Sequence, residues 1–229
     1  MSTETVAWEA LRLSLWVSVW ATLLAVPLAL WVAFVLARKE FWGKGLLSAL
    51  VHLPLVLPPV VTGYLLLIAF GRNAPLGRAL ESIGITLAFH WSGAVLAAII
   101  MGFPLMVRAM RLAIEAVDPK LEEAAATLGA TRKAVFARVT LPLIAPGILA
   151  GAVMGFAKAM GEFGATITFV ANIPGQTQTL PSAIWSALQI PGGENQAVIM
   201  VLMACAVALG AVMISEILAR RVAARISGT

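Results

Sequence analysis

Residues 118–142 read DPKLEEAAATLGATRKAVFARVTLP and form the longest polar segment of an otherwise apolar chain. Asp118 followed by Pro119 predicts a helix start, because the carboxylate can accept a free backbone N–H and the proline ring fixes φ in the helical range. Gly129 predicts the end of that helix, because glycine readily adopts the left-handed conformation that follows a last turn. The segment lies between two apolar runs long enough to cross a bilayer, so we expect it on a membrane face.

A second short helix is predicted after Gly129. Thr131 can cap its first turn, and Pro142 is expected to end it because proline has no N–H to continue the helical hydrogen bonds. The first helix also has an apolar stripe at helical spacing, formed by Leu121, Ala124, Ala125 and Leu128. We interpret a helix–turn–helix of this size beside a membrane as a docking element.

The composition of the chain is that of a membrane protein. Hydrophobic residues make up 61% of the 229 residues and charged residues 12%, with a mean hydropathy of +0.95. Ordinary soluble domains contain about 25% charged residues, so this chain is suited to lipid. We predict a single transmembrane domain over residues 1–229, because no internal repeat or separate soluble segment stands out.

Five apolar runs are long enough to span a bilayer, for which about 20 residues suffice. They cover residues 13–37, 46–70, 86–107, 143–169 and 197–219. A further piece, 180–190, is too short to span and predicts an interfacial or re-entrant helix. The predicted fold is therefore all-α: a polytopic membrane helical bundle of about five transmembrane helices plus one short helix.

The distribution of basic residues predicts the orientation of these spans. Twelve of the 16 Lys and Arg residues fall in residues 38–45, in residues 108–142 and after residue 219. Basic residues are retained on the cytoplasmic side of a membrane. We therefore predict an outside N-terminus, an inside C-terminus and a cytoplasmic 118–142 segment. The formal charge of +5 does not indicate nucleic-acid binding, because the basic residues follow the membrane boundaries.

Prolines interrupt the second run at Pro54, Pro58 and Pro59. Each proline removes a backbone hydrogen bond, and inside lipid the freed carbonyl groups need another partner. A cavity or a neighbouring helix can supply that partner, so we expect Pro58 and Pro59 to line a pathway. An ordinary kink that shapes the bundle is the alternative.

The fourth run combines small residues with charged ones. Gly147, Gly151 and Gly155 recur every four residues, a spacing that lets two helix backbones approach closely. Lys158 and Glu162 fall close to the same helix face, and an unpaired charge there would be unfavourable in lipid. We interpret this face as a subunit interface or pathway wall; a buried ion pair that only fixes packing is the alternative.

The 118–142 segment resembles a known motif. Glu123-Ala124-Ala125, then Gly129 after three residues, and Val139-x-Leu141-Pro142 after nine more are similar to the EAA loop of bacterial ABC importer permeases. Val139 departs from the pattern, since the family often has Ile there. In that family the loop is the cytoplasmic coupling helix that seats in a groove of the ATP-binding subunit.

Three further stretches narrow the resemblance to the molybdate permeases. They are residues 52–67 (HLPLVLPPVVTGYLLL), 103–113 (FPLMVRAMRLA) and 161–185 (GEFGATITFVANIPGQTQTLPSAIW). The resemblance covers nearly the whole chain and implies the fold of a type I ABC importer permease. It also implies a homodimer in the bacterial cytoplasmic membrane that works with an ATP-binding cassette subunit and an extracytoplasmic molybdate-binding protein.

The resemblance also implies roles for individual residues. Those expected to couple the chain to the ATPase are Glu123, Ala124, Ala125, Gly129, Leu141 and Pro142. Those expected at the translocation pathway, its gate or the dimer interface are Pro58, Pro59, Gly151, Gly155, Lys158, Glu162, Phe163, Gly164, Thr166 and Thr168. Hydroxyl and backbone N–H groups in the last part of this set can hold an oxyanion and still release it.

Other classes of function are less well supported by the sequence. The chain has no G-x-x-x-x-G-K-[ST] motif and no nucleophile–base set, so we predict that it is not an enzyme and binds no cofactor or metal. ATP and Mg²⁺ would be bound by the partner subunit. Two alternatives remain: the same machinery importing sulfate or tungstate, and an ion-coupled secondary transporter, which usually shows inverted repeats.

Overall fold

The computed structural model describes the backbone of residues 3–227, and within that range every regular element is helical. The helices are α1 (Thr3–Arg38), α2 (Lys44–Val56), α3 (Pro59–Phe70), α4 (Pro75–Glu81), α5 (Trp91–Glu115), α6 (Pro119–Thr127), α7 (Arg132–Val135), α8 (Leu141–Met160), α9 (Gly164–Val170), α10 (Leu180–Leu188) and α11 (Glu194–Ser227). A π-helical turn, Phe136–Thr140, connects α7 to α8. The predicted all-α fold is confirmed.

Helices α1, α5 and α8 pack against one another and form the centre of the bundle. The packed face of α1 presents buried alanines at four-residue intervals: Ala21, Ala25, Ala29 and Ala33. Small side chains at this spacing allow close approach of helix backbones. The alanines share two apolar clusters with α5, one around Met101 and the other around Met106 and Met110.

Within the described residues, four helical stretches are long and apolar enough to cross a membrane. They are Thr5–Arg38, Trp91–Glu115, Arg132–Met160 and Glu194–Leu218. A fifth span is possible if α2 and α3 count as one bent span. The nine-residue helix α10 is too short to span, as predicted, and packs its buried face against α1 and α11.

The predicted proline break in the run over residues 46–70 is present, because α2 and α3 meet at an angle of 114°. The break lies at Leu57 and Pro58, whereas Pro54 lies inside α2 and does not interrupt it. Leu57 and Pro58 have extended backbones, with ψ of 139° and 134°. Each of them precedes a proline, and the proline ring disfavours the helical conformation of the residue before it. Pro59 then begins α3, where its missing N–H has no consequence.

The predicted fourth span, residues 143–169, is present but is not one continuous helix over those bounds. Helix α8 ends at Met160, and a separate helix, α9, begins at Gly164. The Glu162 carboxylate accepts a hydrogen bond from the Ala165 N–H at 3.0 Å, at the first turn of α9. The first N–H groups of a helix lack partners within it, so this carboxylate stabilises a second helix start.

The predicted third span, 86–107, differs from the structure at both ends. Helix α5 begins at Trp91, because Phe89 has a φ of 58° and His90 caps the helix instead of entering it. At its other end the helix continues to Glu115, so Arg108 and Arg111 lie on the helix and not beyond it. Helices α1 and α11 likewise extend past the apolar runs that predict them.

Pro142 does not end a helix, contrary to the prediction. The chain continues as one helical stretch from Arg132 to Met160. The π-helical turn explains this difference, since the Leu141 N–H bonds to the Phe136 carbonyl five residues earlier. Pro142 then occupies the first turn of α8, a position that tolerates a missing N–H.

Candidate functional site

Helix α6, the predicted docking helix, is bounded by the caps that the sequence predicts. The Asp118 side chain accepts a hydrogen bond from the Lys120 N–H at 3.0 Å. Gly129 has a φ of 89°, its N–H bonds to the Ala126 carbonyl, and the Ala130 N–H bonds to the Ala125 carbonyl. These two bonds form a Schellman motif, which satisfies the last carbonyls of the helix.

One face of α6 is open. None of its residues is buried, and its apolar side chains Leu121 and Leu128 are 49% and 89% exposed. Glu123 and Ala124 are also exposed. Helix α6 and its C-cap therefore present an exposed, partly apolar face that carries one carboxylate. Of the predicted coupling residues, Glu123, Ala124, Gly129 and Pro142 are exposed, whereas Ala125 and Leu141 are partly buried. Their role in coupling stays a prediction.

The opposite side of α6 is held to the bundle by Glu122. Its Oε1 atom accepts hydrogen bonds from Arg38 Nη2 at 3.1 Å and from Thr140 Oγ1 at 2.6 Å. Arg38 ends α1, and Thr140 ends the π-helical turn. The docking helix is therefore tied to two membrane-spanning stretches by one carboxylate.

The second predicted group of residues lies at the far end of α8. Lys158 Nζ donates to Glu162 Oε2 at 2.8 Å, so these two charges pair with each other, as the alternative interpretation has it. A role of the pair in the pathway or subunit interface stays a prediction. Glu162 is 3% exposed, whereas the Lys158 side chain is 30% exposed. The carboxylate is therefore enclosed between the lysine and the N-terminus of α9, while the ammonium group retains access to the surface.

The proline break and the residues of α9 come together at one junction, between α3 and α9. A Cβ built on Gly164 would lie 2.7 Å from Pro59 Cβ. Pro58 and Pro59 are exposed at the same bend. The predicted pathway residues from the second and fourth apolar runs are thus neighbours in space.

The hydroxyl and aromatic groups near this junction have mixed environments. Thr166 is buried, and Thr168 Oγ1 donates to the Gly164 carbonyl at 2.8 Å within α9. The Phe163 ring contacts the Trp185 ring of α10, with centroids 6.0 Å apart. The Thr168 hydroxyl would have to turn away from the Gly164 carbonyl to donate to an anion. The predicted contact of these hydroxyls with an anion stays a prediction.

The small residues of α8 have their close partner inside the same chain. A Cβ on Gly151 would lie 3.2 Å from the Met106 carbonyl oxygen, and a Cβ on Gly155 would overlap the Met106 side chain. Both glycines face α5, as does Gly147. The predicted close helix approach is present, and a role for Gly151 and Gly155 in the pathway or dimer interface stays a prediction.

Members of the two predicted groups lie at opposite ends of α8. Helix α8 has 20 residues, which corresponds to a length of about 30 Å. Leu141 and Pro142 lie at the end next to the docking helix, and Lys158 lies at the end next to α9. Helix α8 thus connects these two ends directly, with Pro146 inside it.

Sequence reasoning missed two residues that the structure places at these sites. Gly63 of α3 contacts the backbone of Ala165 on α9; it lies within the 52–67 stretch that carries the resemblance, but no local pattern predicts this contact. Arg38 was counted only as a loop charge, because its partner Glu122 lies 84 residues away along the chain. The described residues contain no group of three or more His, Cys, Asp or Glu side chains placed to hold a metal ion.

The amino-acid sequence of the chain is similar to those of known transport proteins. The chain is 56% identical over 214 residues to the molybdenum transport system permease protein ModB of Escherichia coli (strain K12), covering 93% of both chains. ModB of Haemophilus influenzae is 53% identical over the same length and coverage. The sulfate transport system permease protein CysW of Synechococcus elongatus is 43% identical over 173 residues, which are 76% of this chain and 60% of that protein.

A solved structure of similar fold is that of a bacterial alginate ABC transporter in complex with its alginate pentasaccharide-bound periplasmic protein. It superposes with a TM-score of 0.75 at 19% identity, covering 93% of this chain and 78% of that chain. The predicted resemblance to molybdate permeases is confirmed by the relatives above. The family model for the binding-protein-dependent transport system inner membrane component matches residues 25–228, and the chain belongs to that family.

Proposed function

We propose that this chain is the membrane-spanning permease subunit of an ATP-driven importer that carries molybdate across the bacterial cytoplasmic membrane. The observation that supports this most directly is the docking helix. It exposes Leu121, Glu123 and Leu128 outward, while Glu122 holds it to the ends of α1 and of the π-helical turn. The molybdate substrate is supported by the 56% and 53% identity to two ModB proteins.

The proposed assembly contains two copies of this chain, two ATP-binding cassette subunits and one extracytoplasmic molybdate-binding protein. The chain itself has no P-loop sequence, so ATP and Mg²⁺ would be bound by the partner subunits. The exposed face of α6 offers a partly apolar surface with one carboxylate for the ATPase. This proposal leaves the permease without catalytic residues of its own.

The proposed orientation places the N-terminus outside and the C-terminus inside. It is supported by the twelve Lys and Arg residues in three segments and by the Arg38–Glu122 contact, which holds two of those segments at one end of the bundle. In a Cys205→Ser background, which has no other cysteine, an impermeant maleimide should label Lys133→Cys only from the cytoplasmic side and Ser82→Cys only from outside. The reverse pattern would contradict this orientation.

The proposed mechanism is alternating access. Closure of the ATPase dimer on ATP would draw the two docking helices together, and α8 would transmit that movement to the junction of α3 and α9. The pathway would then open outward to the loaded binding protein, and hydrolysis would return it to the inward state. Thr166, Thr168 and backbone N–H groups near Gly164 are the proposed donors to the passing anion.

The test is co-purification followed by transport. A tagged permease purified in detergent should retain an ATPase subunit, and proteoliposomes containing the complex, ATP inside and the binding protein outside should accumulate radioactive molybdate. Omission of ATP is the control for passive leak. Failure of any ATPase subunit to associate would contradict the proposal and favour an ion-coupled secondary transporter.

A second substrate is favoured by one observation, the 43% identity to a sulfate permease. The same proteoliposomes can decide between the two by competition with unlabelled sulfate, tungstate or molybdate. Inhibition by molybdate at far lower concentration than by sulfate is expected. Uptake of sulfate in preference to molybdate would retain the importer and replace its substrate.

A further inference from the structure

We propose that Glu122 is a positioning residue that transmits movement of the docking helix α6 to α1 and α8. This inference rests on the proposed function, and it assigns a role to a residue next to the predicted coupling residue Glu123. The two neighbours face different surroundings: Glu123 is exposed, while Glu122 is partly buried and bonded to the bundle. In this proposal the Glu123 carboxylate contacts the partner subunit, and the Glu122 carboxylate attaches α6 to the membrane-spanning helices.

The attachment depends on a single oxygen atom. Glu122 Oε1 accepts from Arg38 Nη2 at 3.1 Å and from Thr140 Oγ1 at 2.6 Å. Hydrogen bonds to an ionised acceptor are stronger than bonds between neutral groups. The side chains of Arg38 and Glu122 are only 22% and 25% exposed, so salt screens this pair less than a surface pair.

Other contacts also join α1 to the π-helical turn near Glu122. Thr140 is 2% exposed and belongs to the π-helical turn that leads into α8. On the same turn, the Phe136 ring meets the Phe34 ring of α1 edge-on, with centroids 5.6 Å apart. Helix α1, helix α6 and the start of α8 thus meet around one carboxylate, and π-helical turns occur frequently at functional sites.

The ion pair is made by one nitrogen only. Arg38 Nη2 donates to the Glu122 carboxylate, whereas Arg38 Nε is buried and has no hydrogen-bond partner. The pair therefore lacks the two parallel hydrogen bonds that an arginine can form with a carboxylate. A two-bond pair fixes geometry more strongly than a single bond. The Arg38–Glu122 contact therefore holds α6 through one hydrogen bond from the guanidinium.

The test separates transport from ATP consumption in the complete complex in proteoliposomes. The variants are Glu122→Gln, Arg38→Gln and the exchanged pair Arg38→Glu with Glu122→Arg. Glu115→Gln is the matched control, because Glu115 forms an ion pair with Arg111 at 2.7 Å on the same end of the bundle but touches no other helix through it. The readouts are ATPase subunit retained, ATP hydrolysed and molybdate accumulated.

We expect Glu122→Gln and Arg38→Gln to retain the ATPase subunit and to hydrolyse ATP, but to accumulate about five-fold less molybdate per ATP than the native chain. The exchanged pair should recover part of that loss, and Glu115→Gln should match the native ratio. A purely structural role would lower the amount of folded complex and leave the ratio unchanged.

Two results would overturn the inference. One is a native ratio of molybdate to ATP in Glu122→Gln; the other is loss of the ATPase subunit from that variant, which would place Glu122 in the docking contact itself. If the proposed function itself were wrong, the native chain and Glu115→Gln would also lack ATPase association or molybdate uptake. That result differs from a defect confined to the Glu122 and Arg38 variants.

Discussion

The backbone of Gly63 on α3 lies so close to Ala165 on α9 that a Cβ at residue 63 would stand 2.5 Å from the Ala165 carbonyl oxygen. The same Cβ would stand 2.9 Å from Thr168 Cβ. Because real Cβ atoms are not found at such distances, only glycine permits this contact. The proline break of the second apolar run and the helix after Glu162 therefore form one backbone-to-backbone junction.

We expect Gly63→Ala to lower the stability of the chain by about 1–3 kcal/mol, as overpacking does in other well-packed sites. The added methyl group meets backbone atoms, which cannot rotate away. Gly45→Ala is the matched control, because a Cβ there meets nothing within 4 Å. Thermal unfolding in detergent should show a lower Tm for Gly63→Ala alone, and equal Tm values for both variants would contradict the junction.

We expect Gly129 to be required because its backbone is left-handed, and not because a side chain there would meet other atoms. Its φ is 89°, and no atom lies within 4 Å of a Cβ built there. Gly129→Val should therefore cost about 1–2 kcal/mol from left-handed strain, while Gly129→Asn should cost less. Hydrogen exchange of the amides in residues 119–130 should speed up in Gly129→Val, and similar exchange in both variants would show that the strain is absorbed elsewhere.

The Lys158–Glu162 pair is expected to behave as a coupled unit. Lys158→Met leaves the carboxylate enclosed without its cation, and we expect a loss of about 2 kcal/mol, below that of fully buried pairs because the lysine is 30% exposed. Lys158→Met combined with Glu162→Gln should lose less than Lys158→Met alone. Unfolding temperatures of the single and double variants measure this difference, and strictly additive effects would mean that the two charges do not interact.

The hydroxyl groups of α9 are expected to contribute to transport. Thr166→Val with Thr168→Val should reduce molybdate uptake several-fold, because the oxyanion would lose two donors along its path. Thr22→Val is the matched control, since Thr22 makes the same local bond to a carbonyl four residues earlier, at 2.7 Å, on α1. Uptake in the α9 double variant equal to that in Thr22→Val would remove both hydroxyls from the proposed pathway.

Local rules predicted both ends of α6 and the start of α7 well. Asp118, Gly129 and Thr131 each act through atoms within a few residues, so their caps can be predicted from neighbouring sequence. The composition also predicts the membrane class, because the proportion of apolar residues reflects the solvent that surrounds the helices.

Features that depend on distant partners could not be predicted in the same way. Glu122 and Arg38 are 84 residues apart, and neither position has a local pattern that specifies the other. Pro142 follows the general rule against proline in helices, but a π-helical turn upstream changes the hydrogen bonding so that the rule does not apply. The glycine spacing predicts a close helix contact at Gly155, but it does not predict that the partner is Met106 of the same chain.

In the proposed mechanism, an ATPase acts on this chain through the exposed face of α6. The most direct measurement is ATP hydrolysis by the assembled complex in lipid, with and without loaded molybdate-binding protein, for the native chain and Glu123→Lys. Glu81→Lys is the control, because Glu81 is an exposed acid on α4, outside the docking segment. We predict stimulation by the loaded binding protein in the native chain and in Glu81→Lys, and its loss in Glu123→Lys. Equal stimulation in Glu123→Lys, or no response of the native complex to any loaded binding protein, would contradict the account.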